Sequence, residues 1–236
     1  MSRGRFLAFD TSTEVLSIGL AHEDQTLVRT LPGGAQASAS LIPAAMSLLE
    51  DAGMPLTSLD AIVFGCGPGS FTGLRTACAV AQGLALGAQL PVVPVNTLLA
   101  VAQEARLLLP DLSRPLTVLA LLDARMDEVY SAIHDWDGRH WSLRRPLQVG
   151  SPQHVALPDG DHVWMAGNAF EAYGDRLPAG RRLPAQPTAR ALLQLAPGLM
   201  AAGGALGPEQ AMPLYIRDKV ALTTAEREAA SNRGGA

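Results

Sequence analysis

Aromatic residues make up only 5% of this 236-residue chain, so leucine, alanine and valine must fill whatever core it has. Cysteine is scarce as well. Cys66 and Cys78 sit in neither a CxxC nor a Cys/His spacing, which excludes a cysteine-built zinc site and a disulfide framework and leaves two small apolar residues. Positive charge is not in excess: 18 Lys and Arg stand against 22 Asp and Glu, a net charge of −4. No overall basic field is available to recruit nucleic acid, so any such contact must come through a local patch or a partner. No apolar run approaches the roughly 18 residues needed to span a bilayer. Only four apolar residues separate Met1–Arg5 from Asp10, too few for a signal peptide, and a soluble cytoplasmic protein is expected. The five histidines, His22, His134, His140, His154 and His162, never fall four apart, so no helix offers a pair of them to one metal. No Gly-x-Ser-x-Gly element marks a nucleophilic serine.

What is present is an alternation of strands and helices in a chain 48% hydrophobic. Phe6–Phe9, Val15–Ala21 and Thr26–Thr30 read as a three-stranded meander. In Ser38–Ala52, Leu41, Ala45, Leu48, Leu49 and Ala52 follow the spacing of one helical face, with Ser40 as cap and Pro43 in the first turn. Ala61–Gly65 is a strand, Ser70–Ala88 a helix and Pro91–Val95 another strand, which argues for parallel pairing with crossover helices. After a Pro- and charge-rich stretch at 106–115 the pattern restarts. Leu116–Leu122 ends in Asp123, as the first strand ends in Asp10, and an alternating strand, Glu128–His134, follows. Val163–Ala166 is a strand, and Thr188–Ala202 a helix that Pro197 should kink or break. The expected units are residues 1–105, completed by a C-terminal segment, then 115–220, then a small, polar and disordered tail at 221–236.

Between strand and helix lies Gly67-Pro68-Gly69-Ser70-Phe71-Thr72-Gly73-Leu74-Arg75. Its glycines permit a tight turn into a helix N-terminus, where unpaired N–H groups favour an anion. It lacks the Lys-Ser or Lys-Thr of a Walker loop and the spacing of a dinucleotide fingerprint. On residues alone it reads first as a structural turn capped by Ser70 and second as a phosphate cradle. Asp123 and Asp127, four apart, read as turn residues before they read as an acid–base pair.

Taken with Asp10-Thr11-Ser12-Thr13, Pro91–Asn96, Asp123–Tyr130 and Pro213–Arg217, this turn resembles the TsaB (YeaZ) family over nearly the whole chain, from about Phe6 to Val220. The resemblance implies an α/β fold of two similar lobes in the actin-like, sugar-kinase-like ATPase superfamily, with mixed RNase H-like sheets flanked by helices. It also implies a non-catalytic subunit that dimerises with a TsaD-like catalytic protein to place threonylcarbamoyl on adenosine in tRNA, with a TsaE-like ATPase joining the pair. tRNA would be met only through the complex, and the chain alone would form a homodimer. Asp10, Ser12, Thr13, Gly67, Gly69 and Ser70 would be a vestigial phosphate element. No cofactor would bind to this chain alone, which leaves the joint surface as a place for ATP or ADP. The TsaD metal motif would fall at Thr97 and Val101, and valine ligates nothing, so neither a metal centre nor the old glycoprotease label is supported.

Helix Ser70–Ala88 carries Gly73, Ala77, Ala81 and Ala85 at intervals of four, a smooth stripe that another helix can approach closely. Val80 and Leu84 lie beside it, and Leu41, Ile42, Ala45, Met46 and Leu49 give the preceding helix spare apolar surface. These residues are the expected partner interface, and in the family the two helices meet the equivalent pair of the catalytic subunit. The competing readings are a nucleotide-dependent kinase or ATPase of the same fold, using Asp10 and Asp123, and a homodimeric binding module.

Overall fold

The computed structural model describes residues 4–111 and 114–216; the 221–236 tail and the end of the Pro213–Arg217 motif lie outside them. The chain runs β1 (Phe6–Asp10), β2 (Val15–His22), β3 (Gln25–Pro32), α1 (Ala37–Asp51), β4 (Ala61–Gly67), α2 (Phe71–Ala88), β5 (Val92–Asn96) and α3 (Thr97–Leu108). It then continues through β6 (Leu116–Asp123), β7 (Val129–Trp136), β8 (Trp141–Gly150), β9 (Val163–Gly167), α4 (Ala169–Tyr173), β10 (Arg182–Pro184) and α5 (Ala189–Ala201). Two five-stranded sheets result, ordered β3-β2-β1-β4-β5 and β8-β7-β6-β9-β10. In each, the central strand is antiparallel to the second and parallel to the fourth. The same topology therefore occurs twice, which gives the two similar lobes that were expected.

Apart from Thr117, both central strands are apolar up to the Asp that ends each, because both of their faces are covered. On one face of the first sheet Leu7, Phe9, Ile62 and Phe64 meet α1 and α2; on the other, Phe6, Ala8, Ala61 and Val63 meet α5. Helices are exchanged between the lobes. The late helix α5 packs on β1, β2, β4 and β5, while α3 packs on β6, β7 and β9. A boundary at 105–115 thus separates the sheets but not their helical covers. α3 and α5 also touch each other, joined by Gln103–Gln194, Glu104–Thr188 and Glu104–Arg190 contacts.

Two local expectations are corrected. α1 begins at Ala37 rather than at a Ser40 cap, because a 3-10 turn over Gly34–Gln36 feeds straight into it, and Pro43 therefore lies in the helix interior, on its exposed side. Pro197 interrupts nothing: it too sits exposed within a continuous α5, where water can take the carbonyl it leaves unbonded.

Candidate functional site

The turns at the ends of the two sheets face each other across a cleft of about 270 Å³. One wall comes from Ser12–Glu14 after β1 and from Gly69–Phe71, which open α2; the other comes from Asp123–Met126 after β6 and from Asn168 after β9. β4 and β9 end alike, in Gly67 and Gly167 at φ 127° and 146°, a backbone region that side chains disfavour. The loop after the first strand and the glycine turn are locked together. Ser70 N–H donates to the Ser12 carbonyl at 2.7 Å, and Thr11 Oγ1 donates to the Gly73 carbonyl at 2.7 Å. Gly69 lies against Ser12, and Gly73 packs so closely that a Cβ there would stand 1.8 Å from the Thr11 carbonyl oxygen. Ser70 caps α2 by accepting from Gly73 N–H.

Of the six expected phosphate-element residues, Ser12, Thr13, Gly69 and Ser70 line the cleft. Gly67 does not. Its N–H donates to Thr97 Oγ1, and its Cα is pressed against the Leu214 carbonyl. Asp10 does not either: it is fully buried, with Oδ1 accepting from Ser12 N–H and Oγ while Oδ2 lies unpartnered against Gly65. A carboxylate shut away from solvent in this way cannot reach a metal or a nucleotide in the cleft.

Burial outweighs the two Ser12 bonds and pushes the Asp10 carboxyl up to about 6. The fold therefore favours the protonated acid. The stability this group contributes is complete below about pH 3.8 and is lost as pH rises through about 6, a loss on the order of 3 kcal/mol. Asp10→Asn is expected to remove that dependence. Between pH 4 and pH 7, urea unfolding should show the mutant gaining on wild type by about 2–3 kcal/mol. A gap that stays constant with pH would mean that Asp10 is solvated.

On the second wall Asp123 is held by the Arg125 N–H, the Arg125 guanidinium and the Tyr173 hydroxyl, the last two at 3.1 and 2.7 Å. Its own N–H donates to Asn168 Oδ1. Arg125, Met126 and Asp127 follow in a left-handed turn at φ 58°, 53° and 62°, a conformation costing roughly 1–2 kcal/mol per residue. Arg176 pairs with Asp127 on one side, and Arg125 reaches across the cleft to Glu14 at 2.7 Å on the other. Asp123 and Asp127 therefore serve separate cations as turn residues and form no acid–base pair. Tyr173, Arg176 and Asn168 were not visible as partners, because 45 to 50 residues separate them from the groups they hold. No histidine lines the cleft.

Thr97 and Val101 are both fully buried, and no group of three His, Cys, Asp or Glu able to hold a metal occurs among the described residues. Both cysteines are free thiols, and burial pushes that of Cys66 up to about 12. No helix among the described residues is long and apolar enough to cross a membrane.

The expected interface stripe is corrected. Ala77, Ala81 and Ala85 are wholly buried, and Gly73, Leu41 and Ala45 join them in the core against the chain's own first sheet. Small residues there let α2 settle closely on β4, so the stripe is spent inside the lobe. Val80 and Leu84 pack half-buried at its edge. Only Ile42 and Met46, 45% and 40% exposed, face outward from the expected set. The outward face of α2 is a different row, Ala79, Gly83, Leu86 and Gly87, with nothing within 4 Å of a Cβ at either glycine and Leu86 71% exposed. Arg75 is the one charged residue in α2, and α1 has none before Glu50. Glycines within a helix, which lower its intrinsic stability, were the available sign that this row serves something other than helix formation.

Residues 32–141 match the family model described as TsaD, tRNA N6-adenosine threonylcarbamoyltransferase. The Escherichia coli K12 protein named tRNA threonylcarbamoyladenosine biosynthesis protein TsaB is 33% identical over 92% of this chain and 96% of its own length. The Haemophilus influenzae protein of the same name is 33% identical over 91% and 94%. The solved structure of YeaZ from Pseudomonas aeruginosa superposes with a TM-score of 0.82 at 38% identity, covering 90% of this chain and all of that one. Identity at that level along nearly the whole length, on a fold that superposes throughout, places the chain in the TsaB (YeaZ) family.

Proposed function

We propose that this chain is a non-catalytic subunit of the machinery that makes threonylcarbamoyladenosine in tRNA, dimerising with a TsaD-like catalytic protein that a TsaE-like ATPase joins. The observation that carries this reading is the cleft. Asp10 is sealed, Asp123 is held by an arginine and a tyrosine, and the positions that would bear a metal are a buried threonine and valine. A fold built to hold phosphate thus keeps its frame and loses its chemistry, while α1 and α2 turn an almost uncharged outer face to solvent. tRNA would be met only through the complex, consistent with the net charge of −4. ATP or ADP, if used, would sit at the joint surface. Without the catalytic subunit the chain would pair with itself. One solved relative is described by its similarity to a peptidase YeaZ, but the absence of any histidine from the cleft argues against a serine–histidine centre here.

The deciding experiment mixes the purified chain, the TsaD-like and TsaE-like proteins, tRNA, ATP and an activated threonylcarbamoyl donor, omitting each protein in turn. Modified adenosine is expected only when the TsaD-like protein is present, and co-purification of that protein with this chain is expected. Modification by this chain alone, or failure to co-purify, would overturn the proposal. Elemental analysis of untagged protein should find no stoichiometric zinc or iron; either metal, present and lost on substitution near Asn96–Val101, would show a centre this reading denies.

A further inference from the structure

The face of the second sheet opposite α3 carries a cavity of about 380 Å³ between β7, β8 and the 3-10 turn Pro152–His154. Leu119, Val129 and Val155 give it an apolar floor. Ser131, Arg145, Gln148 and His154 supply its polar groups, and no Asp or Glu lines it. Arg145 is there because the ladder is irregular. Ser131 pairs with Gln148 but Ile133 with Arg145, and the register shifts again before His134 pairs with Leu143. In an unbroken ladder Gln148 would share its face with Pro146 and Arg144, and Arg145 would point to the α3 side. One extra residue in β8 brings Arg145 round beside Gln148, the re-aiming that bulges perform.

The guanidinium so placed is under-used. Arg144, next door, is paired with Asp135 at 2.6 Å, but Arg145 makes no ion pair among the described residues. Of its five N–H donors, Nη1 donates to the Ala156 carbonyl at 3.0 Å. A half-buried arginine above an apolar floor, in a cavity without acid, leaves a planar fork that suits a carboxylate. We propose that this cavity binds a small organic monocarboxylate. Arg145 takes its two oxygens, Ser131 and His154 add donors, and Leu119, Val129 and Val155 receive a short branched hydrocarbon. One fixed cation matches one negative charge; a phosphate dianion would find half the compensation it needs and no use for the floor.

The full chain is titrated with 3-methylbutanoate, its neutral isostere 3-methylbutanamide and inorganic phosphate, followed by calorimetry and by amide chemical shifts. Saturable binding of the carboxylate is expected, with shifts confined to β7, β8 and residues 151–157, and amide and phosphate at least about tenfold weaker. Arg145→Gln should weaken the carboxylate at least about tenfold. Because that change also removes the Ala156 bond, Ser131→Leu serves as a second variant, filling the cavity while leaving Arg145 in place, and should abolish binding with the remaining spectrum unchanged. The proposal fails if the amide binds as well as the acid, if phosphate binds more tightly, if a folded Ser131→Leu protein still binds, or if no saturable shift appears up to about 10 mM.

Discussion

Gly73→Ala should cost the protein roughly 3–5 kcal/mol, while Gly83→Ala, ten residues further along the same helix, should stabilise it by roughly 0.5–1 kcal/mol. The two positions share an α-helical backbone and differ in what stands outside it. At Gly73 a methyl group would sit 1.8 Å from the Thr11 carbonyl oxygen, and at Gly83 it would meet nothing within 4 Å. α2 cannot slide away to make room. Ala77, Ala81 and Ala85 are wedged into the core below, and Ser70 N–H is tied to the Ser12 carbonyl. The loop cannot retreat either, since Asp10 and Ser12 hold it from within. The clash must therefore break the contact between the two turns, including the Thr11 bond to the Gly73 carbonyl. At about 2–4 °C per kcal/mol for a chain of this size, Gly73→Ala should melt roughly 6–20 °C below wild type and Gly83→Ala slightly above it. Calorimetry on the two proteins reads both effects. A Gly73→Ala protein melting with wild type would show that the glycine turn has slack and that its close approach to Thr11 is no constraint.

The fold was legible where burial on both faces of a strand forces an apolar run. β1, β4, β6 and β9 could be read from composition alone, and so could the repeated strand-then-Asp opening that signals duplication. β8 was not legible, because Trp141–Gly150 is an exposed edge strand with two arginines, a proline and a broken register, so neither alternation nor apolarity survives in it. The direction of α2 was not legible for the opposite reason. A helix small and apolar nearly all round gives no contrast between its faces, so the row that contacts the sheet and the row that contacts solvent look alike until the sheet is in place. The glycine turn and the residues at Asp10 and Asp123 were found, but their state was not. That Asp10 is sealed depends on Gly65 from a neighbouring strand, and Asp123 depends on Tyr173, 50 residues away.

That ambiguity in α2 decides how the interface must be tested. Ala81→Arg would bury a guanidinium at a position with no exposure, within an apolar cluster, and should unfold the first lobe whether or not any partner binds there. Gly83→Arg and Leu86→Arg put the same charge on the outer row, where there is open space or 71% exposure; the first should gain roughly the 0.5–1 kcal/mol of helix propensity that Gly83→Ala gains, and the second should change stability by no more than about 0.5 kcal/mol. If the outer faces of α1 and α2 receive the TsaD-like subunit, an arginine in that row has to be desolvated against an apolar surface. The expected loss is about 2–4 kcal/mol, roughly 30- to 1000-fold in Kd. Met46→Arg, on α1, should act in the same direction, since Met46 is 40% exposed in a helix with no charge before Glu50. Self-association should fall with partner binding, because in the isolated chain the same uncharged face has only another copy to cover it, and a two-fold pair is the simplest way to do so. Circular dichroism establishes that the variants are folded, and sedimentation of each, alone and mixed with the TsaD-like protein, gives both affinities. Folded Gly83→Arg and Leu86→Arg proteins that keep both assemblies at wild-type affinity would place the interface elsewhere on the molecule.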